Sequence, residues 1–407
     1  MTGGLVVVGA SLAGLRAAEV ARKAGHTGAI TLIGDEPHLP YDRPPLSKAY
    51  LDAAEPPNVN FREEHHLRDE LGVNLHLGSP ARAVDTTQRT VHVGDQEIPY
   101  DGLVIATGAT ARTLPGTDGI TGVHTLRTLD DAIAVRAALD AGARTVVVGS
   151  GFIGSEVASG ARKRGLPITI VEAAPTPLAR AIGAEMGEAV AGLHHRAGTD
   201  LRCGVAVERL EAEHGRVRRV HLSDGTTLEA DLVVAGIGAD PATGWLRGCG
   251  LELDNGIRCD ATLAAVGASG VFAAGDVARW HNPLFEQLMR IEHWTSAAEQ
   301  GAVAARNALE PGAAKPYSTV PYFWSDWYTH RIQFVGVPEA DEVRIVSGAV
   351  DEDRFVALFR RGERLTGVLT LNGQAVVMKY RGLIARRASW TEALEFAERA
   401  RSSAARG

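Results

Sequence analysis

Cysteine is almost missing from this chain. Its 407 residues include three, Cys203, Cys249 and Cys259, and no pair has the C-x-x-C spacing. That pattern supports neither a disulfide framework nor a zinc site, and no metal centre is expected. No cysteine precedes Cys203, so a redox thiol early in the chain is also excluded. Aromatic residues are sparse at 5%. Basic residues are outnumbered, 42 Lys and Arg against 49 Asp and Glu, for a formal net charge of −7. No basic arm or stripe stands out, so nucleic acid is not an expected partner. No apolar run reaches the length of a bilayer span, so no membrane partner is expected. A strand-like run begins by Leu5, which leaves no room for a secretory leader. The expected setting is the cytoplasm.

Glycine, by contrast, is plentiful at 46 residues, and 45% of the chain is hydrophobic, enough for two or three ordinary domains. Leu5-Val6-Val7-Val8 reads as a buried parallel strand. Gly9-Ala10-Ser11-Leu12-Ala13-Gly14 follows, then a helical pattern through Ala24, a closing Gly25 and a second strand at Ile30-Thr31-Leu32-Ile33. This is a β-α-β unit of the usual size. It recurs from Thr145, with Val146-Val147-Val148, then Gly149-Ser150-Gly151-Phe152-Ile153-Gly154, a helix to about Arg164 and a strand at Ile168-Thr169-Ile170-Val171. Leu103-Val104-Ile105-Ala106-Thr107-Gly108 and Leu232-Val233-Val234-Ala235-Gly236-Ile237-Gly238 look like the strands that close each half. A further strand is expected over 270–276, ending in Ala273-Ala274-Gly275-Asp276, and a helix over 292–309. Residues 312–316 read as a linker, and 322–328 hold the one dense aromatic cluster. Strands over 332–337, 343–346, 355–359 and 365–371 and helices over 375–387 and 391–401 predict a small α+β domain.

In such a loop the first glycine makes the tight turn, the second lets the backbone approach a pyrophosphate and the third lets helix pack on strand. The pyrophosphate meets unpaired N–H groups at the helix N-terminus. One glycine loop is weak evidence in a glycine-rich chain; two, each between a strand and a helix, are strong. Ser11 departs from the pattern in the first loop, whereas Ser150 leaves the three key glycines of the second intact. Glu172 follows the second unit's last strand at the roughly 20-residue offset of a ribose-binding carboxylate. A carboxylate there repels a 2′-phosphate, and no cation follows in Ala173-Ala174-Pro175-Thr176, so NADH is expected over NADPH. Arg180, further on, is the residue that would read a 2′-phosphate instead. Asp35 or Glu36 holds the matching place in the first unit. Asp276 reads equally as a helix N-cap or as a ligand for the ribityl chain of a flavin, and the two nucleotide units favour the flavin.

These segments, together with Pro40-Tyr41-Asp42-Arg43-Pro44-Pro45-Leu46-Ser47-Lys48, resemble the NADH-dependent ferredoxin reductases of bacterial oxygenase and haem-thiolate monooxygenase systems. The resemblance covers nearly the whole chain. It implies an α/β fold with two Rossmann-like dinucleotide-binding domains of the glutathione-reductase type and a small α+β C-terminal domain. The implied boundaries are 1–110 with 240–320 for FAD, 111–239 for NAD and 321–407 for the last domain. It places FAD on the first loop and near Gly275 and Asp276, with contacts from Arg43, Lys48, Ala83, the Ala106-Thr107-Gly108 turn, Arg127 and Trp324. It places NAD(H) on the second loop, with Ile153, Glu172 and the Gly236-Ile237-Gly238 turn near it and Glu292 on the nicotinamide side. Lys48 and Glu156 would meet beside the flavin ring, where a lysine balances the negative charge of reduction.

The implied activity is electron transfer from NADH through FAD to a small iron–sulfur ferredoxin of the two-iron, two-sulfur type. FAD converts a two-electron donor to one-electron steps. The implied assembly is a monomer or weak homodimer. Two other readings of the fold stay open: a redox-controlled binding protein, and an NADH oxidase that uses no cysteine. Ferredoxins are acidic, so a local basic patch is expected to dock one, with Arg360, Arg361, Arg364, Arg386 and Arg387 as candidates.

Overall fold

The structure is a computed structural model and describes residues 4–404. Two compact units emerge. The first joins the segment ending at Asp42 to Asn58–Thr110 and Ala239–Pro321; the second joins Arg43–Pro57, Ala111–Gly238 and the segment from Tyr322 onward.

The first unit is built on a five-stranded parallel sheet. Leu5–Val8 lies at its centre, with Ile30–Ile33 and then Val73–His76 on one side and Gly102–Ile105 and then Val271–Ala273 on the other. Every residue of Leu5–Val8 is buried, as an unalternating aliphatic run requires when both faces of a parallel sheet are covered. Leu12–Lys23 packs against Trp294–Leu309, and small residues make the approach possible. A Cβ at Gly301 would collide with the Ala13 carbonyl. The expected helix over 292–309 thus begins two residues later, and the strand expected over 270–276 stops at Ala273 and passes into a 3₁₀ turn, Gly275–Val277. Gly275 has φ +78, which ends the extended run.

The second unit repeats the plan. Thr145–Val148 is flanked by Ile168–Glu172 and Asp200–Cys203 on one side and by Leu232–Ala235 and Val123–His124 on the other, all parallel. The segment Arg43–Pro57 is fastened to this unit. Arg136 donates to the Tyr50 carbonyl at 2.7 Å, Arg164 donates to the Leu51 carbonyl at 2.7 Å, and Lys163 pairs with Asp52.

From Tyr322 onward the chain forms a five-stranded antiparallel sheet in the order Tyr322–Trp327, His330–Gly336, Arg364–Leu371, Phe355–Arg361, Glu342–Gly348, followed by helices Gln374–Ala385 and Trp390–Ala404. The aromatic cluster is therefore an edge strand. Phe323, Ser325 and Trp327 point inward and are buried, whereas Tyr322, Trp324 and Asp326 alternate with them on the other face. Phe323 stacks on Phe334 at 5.6 Å, and Phe334 meets Phe359 edge-on at 5.1 Å.

Candidate functional site

The two glycine loops share one geometry. Gly9 has φ +119, and a Cβ there would strike the Ala106 carbonyl; Gly149 has φ +100, and a Cβ there would strike the Gly236 carbonyl. A Cβ at Gly14 would collide with the Gly9 carbonyl, and one at Gly154 with the Gly149 carbonyl. The middle position differs. Ser11 has φ −121 and ψ −161, an extended backbone open to any residue, which is why serine is tolerated there. Gly151 has φ −72, and a Cβ on it would find nothing closer than the Gly236 carbonyl oxygen at 3.9 Å. The fold therefore does not require glycine at 151.

The helices that follow, Leu12–Lys23 and Phe152–Lys163, begin without a side-chain cap. By contrast, Leu129–Asp140 in the same protein carries a full capping box from Thr128 and Asp131. Two uncapped N-termini behind glycine turns, with space at Gly151, fit the pyrophosphates of two dinucleotides. Replacing Gly151 by alanine is accordingly expected to leave the melting temperature within about 2 °C of the parent while weakening NADH binding at least tenfold. Calorimetry and an NADH titration check the two halves of that expectation.

Glu172 ends the strand Ile168–Glu172. Its Oε2 accepts from the Ser150 N–H at 2.7 Å and the Ser150 hydroxyl at 2.8 Å, and its Oε1 accepts from the Ala174 N–H at 2.8 Å. The carboxylate is thus held in one orientation by donors of its own unit. Ser150, which the sequence alone presents as a harmless departure, is one of its anchors. Ile153 is exposed beside Phe152 at the head of the helix. Gly238 has φ +102, and its carbonyl accepts from the Arg112 N–H at 3.0 Å. Arg180 is exposed on Ala179–Ile182, which starts from Leu178 in the left-handed region at φ +52.

In the first unit the acids Asp35 and Glu36 come one and two residues beyond the register position of Glu172. Val8 faces Ile33 as Val148 faces Val171, so Gly34 stands where Glu172 would. A Cβ at Gly34 would come within 2.6 Å of the Ala10 Cβ, leaving no room for an acid. Asp35 is exposed, and Glu36, half-buried, accepts from the Tyr41 hydroxyl at 2.6 Å. Thr107 donates to the Ala242 carbonyl at 3.0 Å, and Ala83 lies exposed on Ala81–Asp85. Asp276 and Glu292 are joined by a residue the sequence did not mark. Arg290 donates to the Asp276 carbonyl at 3.1 Å and to the Glu292 carboxylate at 2.8 Å. Gln300, buried, accepts from the Gly275 N–H at 2.8 Å, and the Trp294 indole donates to Asp42 at 2.8 Å.

The second unit brings Lys48 and Glu156 together. Lys48 Nζ lies 2.8 Å from Glu156 Oε2, and Glu156 is 2% exposed. Ser47 donates to the same oxygen, and Ser325 donates to Oε1. Arg43 donates to the carbonyl of Arg127, and Trp324 stacks on Tyr322 at 5.8 Å. Behind this cluster the imidazole of His194 lies 4.7 Å from the Trp327 ring, near the Tyr328 hydroxyl at 2.6 Å and the Ser155 hydroxyl at 3.2 Å.

Burial pushes His194 down to about 3, and neighbouring His195 adds to the shift. The unfolded chain takes up this proton near 6.5, so the stability that neutral His194 contributes is complete above that pH and is lost as the pH falls through the window towards 3. One such proton makes a slope of about 1.4 kcal/mol per pH unit. Buried His293, pushed down to about 4, acts over the same range in the first unit. Melting curves between pH 7.5 and 5 are expected to shift downward, and His194→Gln to flatten the shift without abolishing it.

Burial, with Glu172 and Glu188, pushes Cys203 up to about 11, and burial pushes Cys259 up to about 12. Among the described residues, no cluster of three His, Cys, Asp or Glu could hold a metal ion, and no helix is long and apolar enough to cross a membrane.

Residues 4–301 match the family described as pyridine nucleotide-disulphide oxidoreductase, and residues 322–401 match the one described as reductase C-terminal. The chain belongs to the pyridine nucleotide-disulphide oxidoreductase family. Proteins of this family that resemble it include rhodocoxin reductase of Rhodococcus erythropolis, 36% identical over 94% of this chain and 89% of that one. Putidaredoxin reductase of Pseudomonas putida is 34% identical over 90% of this chain and 88% of its own. The solved covalent putidaredoxin reductase–putidaredoxin complex superposes with a TM-score of 0.89 at 33% identity, covering 94% of this chain and 93% of that one. The family uses FAD and NAD(H), the two cofactors that the uncapped loops fit.

Proposed function

We propose that this chain is an FAD-dependent ferredoxin–NAD(+) reductase serving an oxygenase system. One NADH reduces two molecules of a two-iron, two-sulfur ferredoxin and leaves NAD+ and a proton. The observation that carries this reading is the doubled geometry: two glycine turns, each held against a facing carbonyl and each opening an uncapped helix. Its relatives named as reductases of redoxin partners span nearly the whole chain.

FAD, when bound, accepts hydride and passes electrons on singly. In this reading the Gly9–Gly14 loop and the helix behind it take its pyrophosphate, and Asp276 orients its sugar chain. Arg43, Lys48, Arg127 and Trp324 are the further FAD contacts that the family resemblance implies. The second loop takes NADH. Glu172 accepts from the adenosine ribose, and Glu292 lies towards the nicotinamide. Lys48 carries its charge beside the flavin ring, and Glu156 holds Lys48 in place. No protein acid or base is required. The early loop where a redox thiol would act carries Pro44–Ser47 instead. The proposed boundaries are those of the three modules stated from the sequence, and the proposed compartment is the cytoplasm, where NADH is at hand.

Docking falls to exposed arginines. Arg361 and Arg364 face each other across the turn joining the strands Phe355–Arg361 and Arg364–Leu371, and both are exposed. Arg360 is paired with Glu342 at 2.9 Å, and Arg386 lies 3.8 Å from Glu392. The test is NADH-driven reduction of putidaredoxin by the purified yellow protein across a salt series. Reduction is expected, with a rate that falls as salt rises and falls again on charge reversal at Arg361 and Arg364. NADH oxidation with dioxygen as the only acceptor would instead favour an oxidase.

A further inference from the structure

Ser325 is a polar residue where the strand's alternation calls for an apolar one. Its neighbours on the inward face are Phe323 and Trp327, and it has no exposure at all. A hydroxyl in such a place costs stability unless both its donor and its acceptor capacity are used. Both are. The Trp327 indole donates to Ser325 Oγ at 2.9 Å. An indole N–H is a donor only, so it occupies the oxygen and turns the hydroxyl hydrogen outward, onto Glu156 Oε1. Trp327 is itself wholly buried against the ring of His194. The direction of the Ser325 hydroxyl is therefore set by packed rings.

The consequence falls on Glu156. Its Oε2 is held by Ser47 and Lys48, two residues of the proline-rich segment, and its Oε1 by Ser325, a residue of the C-terminal sheet. Each hydroxyl draws negative charge from the carboxylate and leaves it a weaker competitor for the field of the Lys48 ammonium.

We propose that Ser325 is a positioning residue of the reaction: through Glu156 it sets how much of the Lys48 charge is available to the flavin. The C-terminal module would then tune the flavin as well as carry the docking surface. This inference rests on the proposed placement of Lys48 beside the flavin ring.

Three single variants and one double variant of the full FAD-loaded protein test it, read by the flavin midpoint potential and by the rate of anaerobic bleaching with NADH. Ser325→Ala is expected to shift the potential downward and slow bleaching about tenfold, the scale of one hydrogen bond to a charged group. Glu156→Gln removes the competitor and is expected to shift the potential upward. In the Glu156→Gln background, Ser325→Ala is expected to change nothing further. Trp327→Phe keeps the packed ring but frees the hydroxyl to rotate. It is expected to shift the potential in the same sense as Ser325→Ala and by less, and it serves if Ser325→Ala does not retain FAD. A potential that moves with Glu156→Gln but not with Ser325→Ala or Trp327→Phe overturns the inference and leaves the Lys48–Glu156 reading standing. Additive shifts in the double variant also overturn it. A potential unmoved by Glu156→Gln sinks that underlying reading and the inference with it.

Discussion

Lys48→Met is expected to slow reduction of the bound flavin by NADH about a hundredfold and to lower the melting temperature, because the buried Glu156 loses its counter-charge. The effect is electrostatic. Hydride transfer places negative charge on the flavin ring, and in the proposed arrangement Lys48 is the cation facing it. A factor of one hundred corresponds to about 2.7 kcal/mol, a reasonable size for one cation acting in a partly desolvated site. Lys48 Nζ has two protein partners, Glu156 at 2.8 Å and the Pro44 carbonyl at 3.3 Å. Methionine fills the same volume, but leaves the buried Glu156 carboxylate with two hydroxyl donors and no counter-charge. The midpoint potential should fall together with the rate. Stopped-flow absorbance at saturating NADH separates this from weaker binding, since the limiting rate itself must drop. A variant that reaches the parental limiting rate would show that Lys48 does not face the flavin.

Glu172→Ala is expected to erase most of the preference for NADH, changing the NADH-to-NADPH ratio of kcat/KM by about a hundredfold. Part of the change comes from lost ribose contacts and part from relief of repulsion with a 2′-phosphate. The anchored state of Glu172 sharpens the expectation. With three hydrogen bonds from Ser150 and Ala174, the carboxylate has little freedom to swing away from a 2′-phosphate. Ser150→Gly keeps the backbone donor and removes the hydroxyl, so it should relax selectivity by a smaller factor in the same direction. Adding a cation at Ala173 to the Glu172→Ala variant should complete the switch to NADPH.

Much of this was legible in the sequence because backbone geometry writes itself in glycine. Gly9, Gly14, Gly149 and Gly154 each face a carbonyl that any side chain would strike, so their spacing announced both loops. The aliphatic runs announced the parallel strands for a similar reason, since burial on both faces leaves no alternation to confuse the reading. Side-chain partners across long stretches of chain were less legible. Arg290, one residue past the short strand Gln287–Met289, bridges Asp276 and Glu292, and no local pattern predicts that. Ser325 sat in full view inside an aromatic cluster, but its meaning depended on the strand's inward face and on Glu156, 169 positions away. The acids of the first unit, Asp35 and Glu36, follow Gly34, which stands at the register position of Glu172. Gly34 occupies the place of Glu172 because Ala10 lies too close for any side chain. The ends of Trp294–Leu309 and Val271–Ala273 shifted by two or three residues, the usual uncertainty where a turn residue such as Gly275 intervenes.

The measurement that tests the central claim most directly is an anaerobic titration of the purified protein with NADH and, separately, with NADPH, following the flavin absorbance. The account predicts a yellow protein that bleaches rapidly and stoichiometrically with NADH, slowly with NADPH, and shows a long-wavelength charge-transfer band as nicotinamide stacks on flavin. A protein that purifies without flavin, or whose flavin is reduced by neither coenzyme, would contradict it.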